Sequence, residues 1–279
     1  MNARFLPGSG FGFSLSSTGL LLALVMALPA ALPVSADDAG NALAQQVRDR
    51  PTGKDSVTAG SMVLLEPGHP PRLRRMRTYQ LEQTPDEQWT LIRFSEPADI
   101  ADTGLLTLDH VSGETDQWVY LPAVKKARRI PADRRGGNFV GSDLIYEDLR
   151  DRKIDQDVHT IVREEKLEGQ LCKVLESVPV DKSNSEYSKR VSWIHPQTLV
   201  ALKVDLYSGG EQPSKRMEVK KLQKLQGYWT VLELVVTDLK TQHSTRMLAD
   251  QVQYDKGLSP TLFTQAVLED PIQEASLAK

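Results

Sequence analysis

Apolar and polar residues alternate along most of the chain, and this two-residue period is typical of β-strands with one buried and one solvent-facing side. The segment VALKVDLY is the clearest example, because it predicts that Val200, Leu202, Val204 and Leu206 share one face. The segments TLIRF and GLLTLDH alternate in the same way. Between Val57 and Tyr254 the pattern predicts about eleven strands.

Turn sequences separate these alternating segments. VSGETD, LEGQ, YSGG and LQGY each contain glycine and stand between two predicted strands, which favours tight hairpins. Successive hairpins build an antiparallel sheet, and an open sheet of about eleven strands tends to curl. The sequence therefore predicts a mainly β fold with one strongly curved antiparallel sheet and few helices.

Helical patterns are short. One helix is predicted over Asp37–Arg50, where Pro51 and Gly53 end it. A second is predicted over Ser142–Asp151, with Ser142 as its N-cap. The segment PTLFTQAVLED near the C-terminus predicts another short helix.

The N-terminal segment is typical of an export signal. Residues Gly19–Val34 are almost all apolar, and small residues precede the bond after Ala36, as signal peptidase requires. The apolar run is short for a membrane span and is broken by prolines, although an uncleaved anchor is the alternative. We expect a cleaved signal peptide at residues 1–36, a single domain at residues 37–279 and a bacterial periplasmic location.

The cysteine count and the net charge limit the kinds of modification and partner that we expect. Cys172 is the only cysteine, so we expect neither an intrachain disulfide nor the lipid-bearing cysteine of a bacterial lipoprotein. We interpret it as a small buried side chain. Removing residues 1–36, which hold one arginine and no acid, takes the formal net charge from −3 to −4. That balance argues against nucleic acid as a partner and favours only transient membrane contact.

No motif specifies catalysis or a resident metal. The five histidines are scattered, and HExxH, CxxC, GxSxG, GxGxxG and GxxxxGK[ST] are absent. Asp155, Asp157 and His159 would share a strand face, and we interpret them as solvent-facing polar residues rather than metal ligands. The segment Gly136–Gly141 is interpreted as a loop rather than an anion cradle. We therefore expect no enzyme, no cofactor and no metal.

A basic segment follows an aromatic strand. Trp118 and Tyr120 precede six lysines and arginines within Lys125–Arg135. Such interleaving occurs in single-strand nucleic-acid binders, but export and the negative net charge argue against that partner. An acidic partner, an anionic head group and a merely solvated face are the alternatives. The candidate contacts for a partner or head group are Arg128, Arg129, Arg134 and Arg135.

The same segment resembles the LolA-like outer-membrane lipoprotein-sorting proteins. WVYLPAVKKARRI followed by GGNFVGSDLIYEDL resembles the most characteristic strand and loop of that family. RFSEPADIADTGLLTL, WIHPQTLVALKVDLYS and LSPTLFTQAVLED resemble its other conserved elements, so the resemblance covers about residues 45–270. It implies an incomplete, half-open β-barrel whose apolar concave face is covered by a few short helices. The arginine that locks the lid of LolA is not assigned to any residue of this chain.

The resemblance implies a periplasmic carrier or chaperone for lipid or lipidated protein, working between the inner membrane or an exporter and the outer membrane. Members of this subfamily are often linked to RND/MMPL-type inner-membrane exporters, so such an exporter is the expected partner. Burial of an acyl chain is favourable by about 0.8 kcal/mol per CH₂. The alternative is an accessory subunit that docks on an exporter and holds no cargo. The candidates for the apolar cavity, with ordinary core packing as the alternative for each, are Ile92, Phe94, Leu106, Leu108, Trp118, Tyr120, Val191, Trp193, Val200, Leu202, Val204 and Leu206.

Overall fold

Three helices and thirteen strands make up the described part of the chain. The computed structural model describes residues 36–278, so the predicted signal peptide lies outside it except for Ala36. No helix in this range combines the length and apolar character that crossing a membrane requires. The helices are α1 (Ala36–Arg48), α2 (Gln265–Glu269) and α3 (Pro271–Leu277), and the strands are β1 (Asp55–Leu65), β2 (Arg72–Thr84), β3 (Glu87–Glu96), β4 (Gly104–Asp109), β5 (Thr115–Leu121), β6 (Lys126–Arg129), β7 (Asp157–Leu167), β8 (Gln170–Pro179), β9 (Lys189–Ile194), β10 (Ala201–Tyr207), β11 (Lys215–Leu225), β12 (Tyr228–Asp238) and β13 (Ser244–Tyr254).

All thirteen strands belong to one antiparallel sheet. Their order is β6-β5-β4-β3-β2-β1-β13-β12-β11-β10-β9-β8-β7, so β6 and β7 are the two edges and the sheet does not close. Every neighbour pair except β1–β13 is consecutive in the chain. The predicted fold class, a single antiparallel sheet in an open barrel-like form with few helices, is confirmed.

The four glycine-containing turns are all hairpin turns, as predicted. They join β4 to β5, β7 to β8, β10 to β11 and β11 to β12. At LEGQ both central residues have positive φ, 49° at Glu168 and 85° at Gly169. The turn in LQGY repeats this with 51° at Gln226 and 97° at Gly227. Two successive left-handed residues match the right-handed twist of the flanking strands, and glycine supplies the second at little cost.

Met62, Phe94 and Val236 lie on the same face of the sheet. We call this face the inner face. The segment 130–150 covers this face over β1–β5, where the rings of Phe94 and Phe139 lie 5.7 Å apart, centroid to centroid. Leu144 is buried in the same cluster. This cluster is a packed core, and it fixes the 130–150 segment to the sheet.

The predicted helix over Ser142–Asp151 is wrong. This part of the chain forms two short 3-10 turns, Phe139–Gly141 and Tyr146–Leu149. The hydroxyl of Ser142 donates a hydrogen bond back to the carbonyl of Phe139 at 2.7 Å instead of capping a following helix. The apolar residues that suggested a helical stripe are held by tertiary packing in an irregular backbone.

We call the opposite face the outer face. Residues 260–277, the C-terminal segment, cover part of it. Phe263 and Leu268 pack against Tyr79, Leu91 and Leu106. The short helix predicted in PTLFTQAVLED is present as α2, which a 3-10 turn precedes. Both faces are therefore buried in the middle of β3 and over most of β4, which explains why these two strands carry apolar residues on both sides.

Helix α1 lies on the inner face at the other edge of the sheet. Leu43 and Ala44 pack against Leu175 and Ile194, and the predicted N-terminal helix is thus confirmed. Gly40 lies directly over β7, where a Cβ atom would stand 1.9 Å from the carbonyl oxygen of His159. Only glycine allows this approach, so α1 covers the edge strand closely.

The prediction that VALKVDLY presents one apolar face is wrong. A β-bulge between Ala201 and Lys203 changes the phase of β10. Leu202 joins an outer-face cluster with Trp193, whereas Leu206 packs beside Tyr187 on the inner face. The extra residue of the bulge reverses the side to which later residues point.

Candidate functional site

A cleft of about 400 Å³ lies beneath α1, between the inner face of β8–β10 and the β2–β3 hairpin. We refer to it as the α1 cleft. One wall is apolar and consists of Ala44 and Val47 from α1 with Leu175, Ile194 and Ala201 from the sheet. These small and branched side chains offer a surface that fits hydrocarbon.

The facing wall of the α1 cleft is polar. Glu82, Thr84, Glu87 and Gln88 contribute to it from the β2–β3 hairpin. The cleft is therefore amphipathic, with hydrocarbon on one side and hydrogen-bonding groups on the other. Such a surface suits an amphiphile better than a purely apolar ligand.

A charged network forms the inner end of the cleft. Arg152 donates through Nε to Asp157 Oδ2 at 2.9 Å, and Arg190 Nη1 lies 3.6 Å from the same oxygen. Arg190 also pairs with the buried carboxylate of Glu147. Among the described residues, Arg190 Nη1 and Asp157 Oδ1 are buried without a hydrogen-bond partner. Unmade hydrogen bonds of this kind cost about 1–3 kcal/mol, so these atoms favour an ordered water or a ligand group.

His159 is fully engaged by the protein. Its Nδ1 lies 2.8 Å from Ser177 Oγ and its Nε2 lies 3.0 Å from the carbonyl of Ile154. Burial lowers the pKa of His159, which favours a neutral ring. The interpretation of Asp157 and His159 as solvent-facing is wrong, because both are buried and line the cleft. Within residues 36–278 no group of three potential ligands is placed to hold a metal.

The mouth of the cleft is spanned by ion pairs. Arg48, at the end of α1, lies 3.3 Å from Asp86 in the β2–β3 turn and 3.3 Å from Asp151. Lys153 donates to the carbonyl of Asp86 and lies 3.6 Å from Asp151. Because partly exposed ion pairs contribute little stability, α1 is held at this end by weak contacts.

None of the twelve predicted cavity residues lines the α1 cleft. On the inner face, Ile92 and Phe94 lie under the 130–150 segment, and Val204 and Leu206 adjoin Tyr187. Val200, which immediately precedes β10, is buried. Their part in ligand binding stays a prediction, and the structure shows each in packing contact. The other seven lie on the outer face in two groups. The group beside the C-terminal segment consists of Leu106, Leu108, Trp118 and Tyr120. The group around Cys172 consists of Val191, Trp193 and Leu202.

The residues of the apolar wall were missed because they meet only in the fold. The helix that carries Ala44 and Val47 was predicted from the sequence. Its partners Leu175 and Ile194 are far away in the sequence, and nothing local couples them to α1. The isolated buried Cys172 agrees with its predicted role as a small core residue.

Of the four arginines predicted as partner contacts, two are free of ion pairs in the described part of the chain and two contact other residues of the protein. Arg128 and Arg134 are exposed, with no ion pair in the described range. Arg129 pairs with Asp116 on the neighbouring strand. Arg135 donates through Nη2 to the carbonyl of Thr115 at 2.8 Å and is partly buried. Two of the four are thus committed to the fold.

The sheet, its open edges and its covering α1 place the protein in the class of LolA-superfamily folds. The crystal structure of a LolA superfamily protein from Nitrosomonas europaea is similar with a TM-score of 0.64 at 16% identity, covering 82% of this chain and 98% of that one. At that identity the likeness shows the fold alone.

Closer relatives narrow the class to a family. A domain from Vibrio parahaemolyticus classed as an outer membrane lipoprotein-sorting protein has 31% identity and a TM-score of 0.79, covering 84% of this chain and 99% of that one. A DUF1329 family protein from Desulfovibrio piger has 28% identity, the same TM-score and the same coverage. A family model described as an uncharacterized protein matches residues 86–270. No curated protein matches the chain. The chain belongs to the LolA-like outer-membrane lipoprotein-sorting family, which confirms the resemblance.

Proposed function

We propose that the protein is an exported carrier that holds a lipid, or the lipid part of a lipoprotein, in the α1 cleft while it crosses the periplasm. The observation that carries this proposal is the amphipathic cleft itself. Its apolar wall runs from Ala44 and Val47 to Leu175 and Ile194, and one helix with a weakly held end covers it.

The physical case rests on the cost of exposing hydrocarbon to water. Burial is worth about 25 cal/mol per Å² of apolar surface, so an acyl chain favours any shielded apolar wall. A volume of about 400 Å³ lies in the range of about 300–1,000 Å³ found for small-molecule sites. The cleft fits one short chain or part of a longer one, and a larger cargo requires α1 to move outward. The description of the Vibrio parahaemolyticus relative as lipoprotein-sorting supports the same class of cargo.

A cleft-filling variant tests the proposal. Ser192 lines the cleft from β9, is partly exposed and makes no side-chain hydrogen bond within residues 36–278. We expect Ser192→Phe to remove binding of a fluorescent fatty acid and to lower the amount of lipid that co-purifies, measured by mass spectrometry of extracts. The matched control is Ser95→Phe, which adds the same ring at an exposed position of β3.

The outcomes separate clearly. Loss of ligand in Ser192→Phe with full binding in Ser95→Phe supports the carrier. Wild-type protein that yields no lipid and binds no fatty acid would contradict it. Equal binding in both variants, with both folded by circular dichroism, would also contradict the α1 cleft as the holding site.

A second candidate function, docking on an RND/MMPL-type exporter, is favoured by the β5–β6 turn. Leu121 and Val124 are exposed apolar residues there, 38% and 45% accessible, and they stand beside exposed Lys126 and Arg128. Mixed apolar and basic surfaces of this kind are typical of interaction sites. We expect the double variant Lys126→Glu/Arg128→Glu to lose co-purification with the exporter while it keeps fatty-acid binding. Unchanged co-purification would contradict docking through this turn.

A further inference from the structure

Arg50 is distinguished from the other arginines of the cleft by its lack of a partner. It lies in the connection between α1 and β1, lines the α1 cleft and also lines an adjoining pocket of about 140 Å³. Across residues 36–278 the structure shows no ion pair and no side-chain hydrogen bond for its guanidinium. By contrast, Arg48, Arg152 and Arg190 each pair with a carboxylate. Among the described arginines of the cleft, Arg50 is therefore the one that pairs with no carboxylate.

The adjoining pocket is small and polar. Its walls include the hydroxyl of Ser56, which donates to Gln80 Oε1 at 3.2 Å, and the side chain of Gln88. Arg50 and Gln88 also belong to the α1 cleft, so the two spaces communicate. Amide and hydroxyl groups beside a guanidinium are the set that recognises a carboxylate or phosphate.

Within residues 36–278, none of the acids that line the two spaces forms an ion pair with Arg50. Asp55 lines the small pocket, but its carboxylate accepts three main-chain N–H bonds, from Lys256 at 2.7 Å, Gly257 at 2.8 Å and Leu258 at 3.1 Å. These bonds hold it in the fold. The other pocket residues with charge, Glu82 and Lys54, are both exposed to solvent and oppose one another in sign.

A partly buried cation without a partner is unfavourable in the empty protein. Burial lowers the pKa of the Arg50 guanidinium, the direction that loss of hydration produces. A bound anion would restore the missing interactions. A guanidinium does this well because it offers planar, paired donors that match carboxylate and phosphate oxygens.

We propose that the pocket around Arg50 is the head-group subsite of the α1 cleft and that the cleft selects an anionic amphiphile. The carboxylate or phosphate accepts hydrogen bonds from Arg50, and the hydrocarbon chain lies along the apolar wall. This inference rests on the proposed carrier function and adds the chemical class of the cargo.

Matched ligands and variants test it. Dodecanoate, dodecyl phosphate and dodecanol share one chain length and differ in charge, and inorganic phosphate is an anion without a chain. Their affinities are measured by calorimetry at pH 7.5 on the wild type, Arg50→Gln and Arg50→Lys. Arg75→Gln is the control, since it removes an arginine of β2 whose partner is the exposed Glu96.

We expect the wild type to bind dodecanoate or dodecyl phosphate about tenfold or more tightly than dodecanol, as for a charge-assisted hydrogen bond. Arg50→Gln should lose that preference and keep its dodecanol affinity, Arg50→Lys should retain part of it, and Arg75→Gln should behave as the wild type. Equal affinities for all three amphiphiles, unaffected by Arg50→Gln, would overturn the head-group subsite and leave the carrier function standing. Binding of none of the amphiphiles would overturn both. Binding of inorganic phosphate alone, lost in Arg50→Gln, would show a free-anion site and overturn selection of an amphiphile.

Discussion

Arg48 lies 3.3 Å from Asp86, and this contact joins the end of α1 to the β2–β3 turn across the mouth of the α1 cleft. The same guanidinium reaches Asp151. We predict that Arg48→Gln raises the dissociation rate of a bound fluorescent fatty acid several-fold, because α1 is freed at one end. The rate is measured by stopped-flow displacement.

The stability of Arg48→Gln should change little. Partly exposed pairs are worth about 1 kcal/mol or less, so the free energy of unfolding in urea should stay within that margin. Arg163→Gln, which removes an exposed pair with Glu165 on β7, is the control and should leave the rate unchanged. A dissociation rate in Arg48→Gln equal to the wild-type rate would show that these ion pairs do not restrain α1.

Gly40→Ala should be destabilising although it raises helix propensity. A Cβ at this position would meet the carbonyl oxygen of His159 at 1.9 Å, so α1 must move away from β7. Overpacking of this kind costs about 1–3 kcal/mol, whereas helix propensity alone predicts a gain of about 1 kcal/mol. Thermal and urea unfolding give the sign. Asn41→Ala, an exposed change in the same helix, should be neutral or stabilising, and a stabilised Gly40→Ala would refute the close approach.

Asp109 makes stability depend on pH. Burial raises the pKa of Asp109 to about 6 from 3.8, against opposing hydrogen bonds from Thr115 and from the amide of Asp151. The folded chain then holds the proton more tightly than the unfolded chain between about pH 4 and pH 6. Stability contributed by this proton is present at about pH 4 and is lost as the pH rises through 6. Two pKa units correspond to about 3 kcal/mol.

Asp109→Asn removes this titration. We expect the unfolding free energy of the wild type, minus that of the variant, to fall by up to about 3 kcal/mol between pH 4 and pH 7. Urea unfolding at four pH values measures it. Asp155→Asn, at an exposed position, serves as the control. A difference that rises with pH would have the wrong sign and would reject a raised pKa.

The C-terminal segment depends on a buried ion pair. Arg93 Nη2 lies 2.7 Å from Glu274 Oε2, with the two side chains only 8% and 5% exposed, and it also donates to the carbonyl of Leu268 at 2.7 Å. We predict that Glu274→Ala lowers the free energy of unfolding by about 3–5 kcal/mol, because the guanidinium loses its countercharge inside the protein. Glu96→Ala, which removes the partner of exposed Arg75, should cost about 1 kcal/mol or less. Equal losses in the two variants would contradict a special role for burial.

Local sequence features predicted most of the fold. The alternation in β3 and the glycine turns such as Glu168–Gly169 depend on residues that are close in the sequence. They could therefore be predicted without knowledge of the tertiary contacts. The failures arose where tertiary contacts override a local pattern. The hydroxyl of Ser142 donates to the preceding Phe139 carbonyl instead of capping a helix. The bulge beside Leu202 adds one residue to β10, so the later side chains point to the opposite face.

The sequence predicted the type of candidate site but not the residues that line it. An apolar inner surface covered by a helix followed from the one-sided strands and the family resemblance. Which side of each strand is the inner one did not, because Ile92 on β3 and Trp118 on β5 show the same alternation and lie on opposite faces. Strands with apolar residues on both sides carry no local signal for that choice.

The two edges of the sheet, β6 and β7, follow one another in the sequence and are linked by residues 130–156. In the described part of the chain no hydrogen-bond ladder pairs β6 with β7, so the sheet has an open seam between these two edges. Opening that seam changes the curvature of the sheet without breaking any strand pair. Such a widening would be resisted by side-chain contacts, such as the pair of Arg48 with Asp86 that joins α1 to the β2–β3 turn, and not by strand pairing.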